Sequence, residues 1–195
     1  MSKYGLLDPG TCLPVLEAVC HVYDIDNALE FGAGLWSTYC LTRNCKTVTS
    51  VENVEAWCDV IRAEHSHRNN LHVVYWDAPM HHYFKTINDT FDLIFIDGND
   101  RVECLNESFS YSPIIICHDT HASALHWDKA IVPESYKQLT YVGCLPYYTT
   151  IFYHEETNLA DQLLNHLSYT HKNTFIDSTF WTTDDIIAIH KRNAI

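Results

Sequence analysis

Two glycines one residue apart, Gly32-Ala33-Gly34, close an apolar stretch that carries a single acid, Ala28-Leu29-Glu30-Phe31. Glycine lets a ligand lie against bare backbone, and a helix opening after such a turn offers unpaired N–H groups. The chain has only six glycines, so two within three positions mark a place where the backbone itself is needed. Glu52 stands eighteen residues beyond Gly34, at the end of the β-rich run Lys46–Val51. A carboxylate about 20 residues past a glycine turn is placed to accept hydrogen bonds from ribose hydroxyls. Asp77 ends a third run, Leu71–Trp76, and extends the same rim to where an adenine would lie. The plainer alternatives are a tight turn that binds nothing for the glycines, and helix capping or solvent exposure for Glu52 and Asp77.

A second constellation is Asp97, Asp100, His118 and Asp119. Asp97 follows the apolar run Phe91–Ile96, and His118-Asp119 follows Pro113–Cys117. Two carboxylates with an imidazole nearby suit Mg²⁺, Ca²⁺ or Mn²⁺, so Asp97 and Asp119 are candidate ligands of a divalent cation. The metal-free alternative has His118 or Asp119 removing a proton from a hydroxyl. A third alternative is that these acids only cap helices or hold loops. The remaining histidines, including His65, His67, His81, His82, His121 and His126, show no spacing diagnostic of a zinc cluster.

These residues act together only if the elements bring them to one edge. Thr11–Tyr23 has apolar residues at helical spacing, and Ile25–Phe31 reads as a short strand. Trp36–Thr42 opens a helix, and Val54–Ala63 places Val54, Trp57, Cys58 and Ile61 on one helical face. Strands thus alternate with helices, and the central strands are apolar on both faces. That is the pattern of a doubly wound α/β domain, a mostly parallel sheet with helices on both sides. Gln138–Val142 and Tyr148–His154 read as an antiparallel hairpin at the sheet edge, and Asn158–Leu167 as a helix. Thr183–His190 is a candidate C-terminal helix.

The 195 residues suit one domain, 1–195, with a core over 27–120, an edge hairpin over 138–154 and a C-terminal extension over 158–195. Lys and Arg number 12 against 25 Asp and Glu, a net charge of −13. That balance argues against a duplex-DNA partner, which needs a basic footprint. No apolar run approaches the roughly 18 residues of a membrane helix, and Asp8 and Glu17 interrupt any apolar leader. The eight cysteines form no C-x-x-C pair, and Cys20 and Cys117 lie in apolar segments. A reducing, cytoplasmic setting is therefore expected, with a disulfide framework as the alternative. The aromatic C-terminal third is a candidate homodimer face.

The ordered motifs E-F-G-A-G-L-W-S-T from Glu30, V-T-S-V-E ending at Glu52, F-D-L-I-F-I-D-G ending at Gly98 and I-I-I-C-H-D-T ending at Thr120 resemble class I S-adenosylmethionine-dependent methyltransferases. The resemblance spans about half the chain, from Asn27 to Thr120, and its last two motifs resemble the branch of small-molecule and sugar O-methyltransferases. It implies a single Rossmann-like domain and methyl transfer to a hydroxyl of a small molecule or sugar. It places Glu30, Gly32 and Gly34, with Ser37 and Thr38, at the amino-acid end of the cofactor. Glu52 falls at the ribose, Asp77 and Ala78 face the adenine, and Asp97 is counted with them among the cofactor-binding residues. His118, Asp119 and Asp97 are the catalytic candidates. In metal-dependent members, a metal shared by Asp97 and Asp119 would orient the acceptor hydroxyl and lower its pKa.

The chain departs from that family in three ways. Asp100 stands where I-D-G-x-H has its histidine, and Thr120 where metal-dependent members carry Asn or Asp. The stretch from Gly98 to Pro113 leaves little room for the usual helix. Two other functions stay open on the residues alone. A nicotinamide-dependent oxidoreductase would use the same turn and acid, although Ser37 replaces the third glycine of G-x-G-x-x-G. A catalytically inactive cofactor-binding module would keep the fold and lose the chemistry.

Overall fold

The computed structural model describes residues 11–144, 147–166 and 175–177. Eight strands form one sheet: β1 (Asn27–Phe31), β2 (Thr47–Glu52), β3 (Leu71–Tyr75), β4 (Leu93–Ile96), β5 (Ile114–His118), β6 (Tyr136–Cys144), β7 (Tyr147–His154) and β8 (Phe175–Asp177). The order across the sheet is β3-β2-β1-β4-β5-β7-β6-β8. The five strands from β3 to β5 are parallel, and β7, β6 and β8 continue the sheet antiparallel. Five α-helices accompany them: α1 (Leu13–Val22), α2 (Ser37–Asn44), α3 (Glu55–Glu64), α4 (Arg101–Ser108) and α5 (Leu159–His166). Among the described residues, no helix is long and apolar enough to cross a membrane.

Side chains alternate between the two faces of a strand, so an apolar run with both faces covered supplies two cores. Ala28, Val48, Leu93, Phe95, Ile114 and Ile116 pack on one face with Val15, Leu16 and Val19 of α1, Leu41 of α2, and Leu159 and Leu163 of α5. Their neighbours Leu29, Phe31, Ile94, Ile96, Ile115 and Cys117 face the other way. There they meet Met80 and Phe84 of a 3-10 turn over Met80–Thr86, and Cys104 and Leu105 of α4. The doubly wound architecture expected from the sequence is thus present, with helices on both faces.

Register decides what the sheet can do. Phe31 pairs with Val51 on one side and Ile96 on the other, and Ile96 pairs with Cys117. The strand ends are therefore level, and Gly32, Glu52, Asp97 and His118 emerge along one carboxyl edge. Ligands of open α/β sheets bind at that edge.

Two features differ from the sequence expectation. Despite the short interval between Gly98 and Pro113, an eight-residue helix, α4, fits there. It starts almost at the strand end because Asp100 turns the chain sharply in the left-handed region, at φ 52°. The hairpin β6–β7 is not the sheet's outer edge, because β8 pairs with β6 beyond it. A three-residue strand is too short to show alternation in sequence. The candidate helix at Thr183–His190 lies outside the described residues.

Candidate functional site

The first turn of the edge is built around a buried acid. Glu30, in β1, is fully buried, and its Oε2 accepts hydrogen bonds from Thr38 Oγ1 at 2.6 Å and from the Ser50 hydroxyl. Its other oxygen, Oε1, is buried with no hydrogen-bond partner. Burial pushes the Glu30 carboxyl up to about 7; the hydroxyls of Ser37, Ser50 and Thr38 oppose that rise and Asp97 adds to it. Thr38 Oγ1 also accepts from Gly34 N at 3.1 Å, so one hydroxyl ties the glycine turn to the acid beneath it.

Gly32 is sterically required. Gly32 has φ +88°, and a Cβ there would lie 2.5 Å from Gly98 Cα. The turns after β1 and β4 therefore touch backbone to backbone. A Cβ on Gly34 would meet Ser37 Oγ at 2.5 Å. The indole of Trp57, in α3, donates to Ala33 O at 2.6 Å and holds the turn from the far side.

Glu52 ends β2, is buried, and accepts from Val54 N at 2.8 Å through Oε1. The N-cap of α3 is Val54, which has no side-chain capping bond, so Glu52 anchors the backbone just before the helix rather than capping it. Beside it opens a cleft of about 410 Å³ lined by Asn53, Asp77, Ala78, Pro79, Asn99 and Asp100. Asp100 Oδ2 accepts from Met80 N at 2.9 Å, joining the third and fourth strand-end turns.

The third group is Asp97, His118 and Asp119. One donor atom from each lies within 4.8 Å of the others, so the structure brings the candidate metal ligands together. His118 is fully buried, with Nε2 2.7 Å from Thr11 Oγ1 and Nδ1 3.3 Å from Asp97 Oδ1. A ring nitrogen facing carboxylates is favoured as the donor, which puts the proton on Nδ1 and lets Nε2 accept from Thr11. Asp97 and Asp119 keep 23% and 25% side-chain exposure, so they reach solvent and His118 does not. Asp119 sits at φ 58°, and its Oδ1 is buried with no hydrogen-bond partner, 3.6 Å from His118 Nδ1. Non-glycine residues in this region store strain, which gathers at functional sites.

A cation already stands among these carboxylates. Arg101, the first residue of α4, pairs with Asp97 Oδ1 at 2.8 Å and Asp119 Oδ2 at 3.0 Å. It also donates to Gly98 O at 2.9 Å, His118 O at 2.8 Å and Asp97 O at 3.0 Å. The donor set alone suits a divalent ion, but one oxygen of each carboxylate is already committed to the guanidinium. As built, the group fits a resident monocation rather than an added dication.

No family model and no curated protein matches the sequence. Solved structures match in fold. An O-methyltransferase from Bacillus cereus in complex with SAH is 17% identical, with a TM-score of 0.60 over 76% of this chain and 82% of that one. A putative O-methyltransferase from Klebsiella pneumoniae gives 16% identity and a TM-score of 0.61 over 79% and 83%. The N-methyltransferase NodS from Bradyrhizobium japonicum WM9, in complex with S-adenosyl-L-homocysteine, gives 13% and 0.58 over 78% and 91%. The chain has the class I methyltransferase fold.

Within that fold, Glu30, Gly32, Gly34, Ser37 and Thr38 gather at the first turn. Asp77 and Ala78 line the cleft next to Glu52, and Asp97, His118 and Asp119 form the third group. The motifs of the methyltransferase fold do not point to Arg101, Thr11, Asn53 or Asn99. For Arg101 a signal exists: it is the only Lys or Arg between Asp97 and Asp119, four residues past the first of them. A base one helical turn beyond an acid can pair with it.

Proposed function

We propose that the chain is an S-adenosylmethionine-dependent methyltransferase acting on a hydroxyl of a small-molecule or sugar acceptor. What carries this reading is the state of Glu30, a fully buried acid under a glycine turn with one oxygen unpartnered. A buried acceptor without a donor is costly, and a bound ammonium or hydroxyl would satisfy it. The methyltransferases of the same fold, two of them in complex with SAH, support the choice of ligand. The net charge of −13 supports a small acceptor over duplex nucleic acid. Cys12, Cys20, Cys40, Cys45, Cys58, Cys104 and Cys117 are free thiols, which supports a reducing, cytoplasmic setting.

When bound, S-adenosylmethionine supplies an electrophilic methyl group on a positively charged sulfur. Glu30, Gly32, Gly34, Ser37 and Thr38 would hold its amino-acid end, Glu52 its ribose, and Asp77 and Ala78 its adenine. Asp97 would lie between cofactor and acceptor. The acceptor hydroxyl must lose a proton as it attacks, and the carboxylate of Asp119 receives it. Asp119 is favoured over Asp97 because its Oδ1 has no hydrogen-bond partner, whereas Oδ1 of Asp97 faces both Arg101 and His118. His118, out of solvent's reach, is a positioning residue that fixes Asp97 from behind. The larger contribution comes from holding the two reactants at contact distance.

Calorimetric titration of S-adenosylmethionine and S-adenosylhomocysteine into the full chain tests the reading. Both should bind one to one, and Gly34→Leu should abolish both. Failure of either compound to bind at millimolar concentration overturns it.

A further inference from the structure

We propose that Arg101 is the resident cation of the Asp97–His118–Asp119 centre and keeps divalent metal out of it. Removing its charge frees the carboxylates of Asp97 and Asp119 to hold a divalent metal. This concerns the charge of the centre and holds whether or not the chain transfers methyl groups.

The guanidinium is built in rather than lying loosely on a surface. Its side chain is 13% exposed. It carries five N–H donors in a rigid fork. Nε faces Gly98 O, Nη1 faces His118 O and Asp119 Oδ2, and Nη2 faces Asp97 O and Asp97 Oδ1. Donors and acceptors match in number. Two of those acceptors belong to Asp97, which follows β4, and one to His118, the last residue of β5, so Arg101 pins the ends of the two strands that carry the acids. A lysine has neither the reach nor the fork to make this set of contacts.

A divalent ion would have to bind the same two carboxylates. It would then lie within a few ångströms of the guanidinium, with like charges in a partly buried setting where screening is weak. The third ligand is also compromised, because a proton on His118 Nδ1 leaves that nitrogen no lone pair for a metal. Thr120, next in sequence, already shares a hydrogen bond with Thr150 at 2.9 Å between their hydroxyl oxygens. The centre therefore has its positive charge fixed covalently.

The test is titration of Mn²⁺ into the full chain, followed by the electron paramagnetic resonance signal of the free ion and by calorimetry. Wild type should leave the free-ion signal unchanged to about 1 mM, the weak limit of an exposed carboxylate pair. Arg101→Met should bind one ion about a hundredfold more tightly or better, because a like charge has gone from beside it. Adding Asp119→Asn to Arg101→Met should abolish the gain. The proposal fails if wild type binds one Mn²⁺ at micromolar concentration and loses it on Asp119→Asn, or if Arg101→Met binds no better than wild type. Should Arg101→Met not fold by circular dichroism, Arg101→Gln keeps a donor for the strand-end carbonyls and takes its place. The wild-type titration alone can overturn the proposal.

Discussion

A carboxyl group buried among hydroxyls, as Glu30 is, has its folded pKa near 7 against an ordinary 4.5. The folded chain then holds a proton that the unfolded chain has released across that window. Glu30 therefore contributes stability below about 4.5 that is lost as pH rises to 7. Glu30→Gln cannot ionise, so the ligand-free variant should melt about 5 °C above wild type at pH 8. The two should converge at pH 4; a constant gap across that range would contradict the burial of an ionisable Glu30. At the glycines the constraint is steric. Gly98→Ala brings a Cβ to 2.5 Å from Met80 Sδ and 2.9 Å from Gly32 N. The thioether can swing aside but the backbone nitrogen cannot, and urea denaturation should show a loss of about 2 kcal/mol. Asp119→Asn keeps the shape and removes the proposed base. Turnover should fall about 10²-fold or more with the affinity for S-adenosylhomocysteine unchanged, and a variant retaining full turnover would move the base elsewhere.

Element by element, the glycine turn is held from two directions, by Thr38 from α2 beneath it and by Trp57 from α3 beside it. Trp57→Phe keeps an aromatic ring but removes the pyrrole half of the indole and with it the N–H that bonds Ala33 O. Its main effect should be a severalfold weaker affinity for S-adenosylhomocysteine, with stability lower by about 1 kcal/mol. Calorimetry and denaturation separate the two, and an unchanged affinity would show that α3 does not shape the turn. The same elements show what a sequence discloses. Strands β4 and β5 were legible because a strand buried on both faces reads as an apolar run, and β1 despite the single acid it carries, Glu30. The turns after them were legible because glycine and acid fall at strand ends. Arg101 was legible only in part, through its place one helical turn past Asp97. Its partners are Asp97, one turn back, and Asp119 on a neighbouring strand, and only strand order makes those two adjacent. His118 was legible as a candidate, but its burial against Thr11 depends on α1 packing across the sheet. The burial of Glu30 likewise follows from β2 and β4 flanking β1.

For the whole molecule, the net charge of −13 combines with the placement of the acids. Parallel strands in register carry Glu52, Asp97 and Asp119 to one edge, with Asp77 and Asp100 in the adjoining cleft. Among the described residues, Arg101 pairs with two of them, Asp97 and Asp119. Such an edge carries a negative field that favours a cationic ligand over a neutral one of the same shape. S-Adenosylmethionine and S-adenosylhomocysteine are that pair, differing by one methyl group and one positive charge at sulfur. Added salt shortens the screening length from about 30 Å at 0.01 M to about 10 Å at 0.1 M, so it weakens the long-range part of that preference. Between those concentrations the affinity for S-adenosylmethionine should fall about threefold, while that for S-adenosylhomocysteine stays nearly level. Calorimetric titrations of both ligands across the salt series measure this directly. Parallel salt dependence of the two would mean that the sulfur does not sense the acid edge, and that the clustering of carboxylates there serves the fold rather than the ligand.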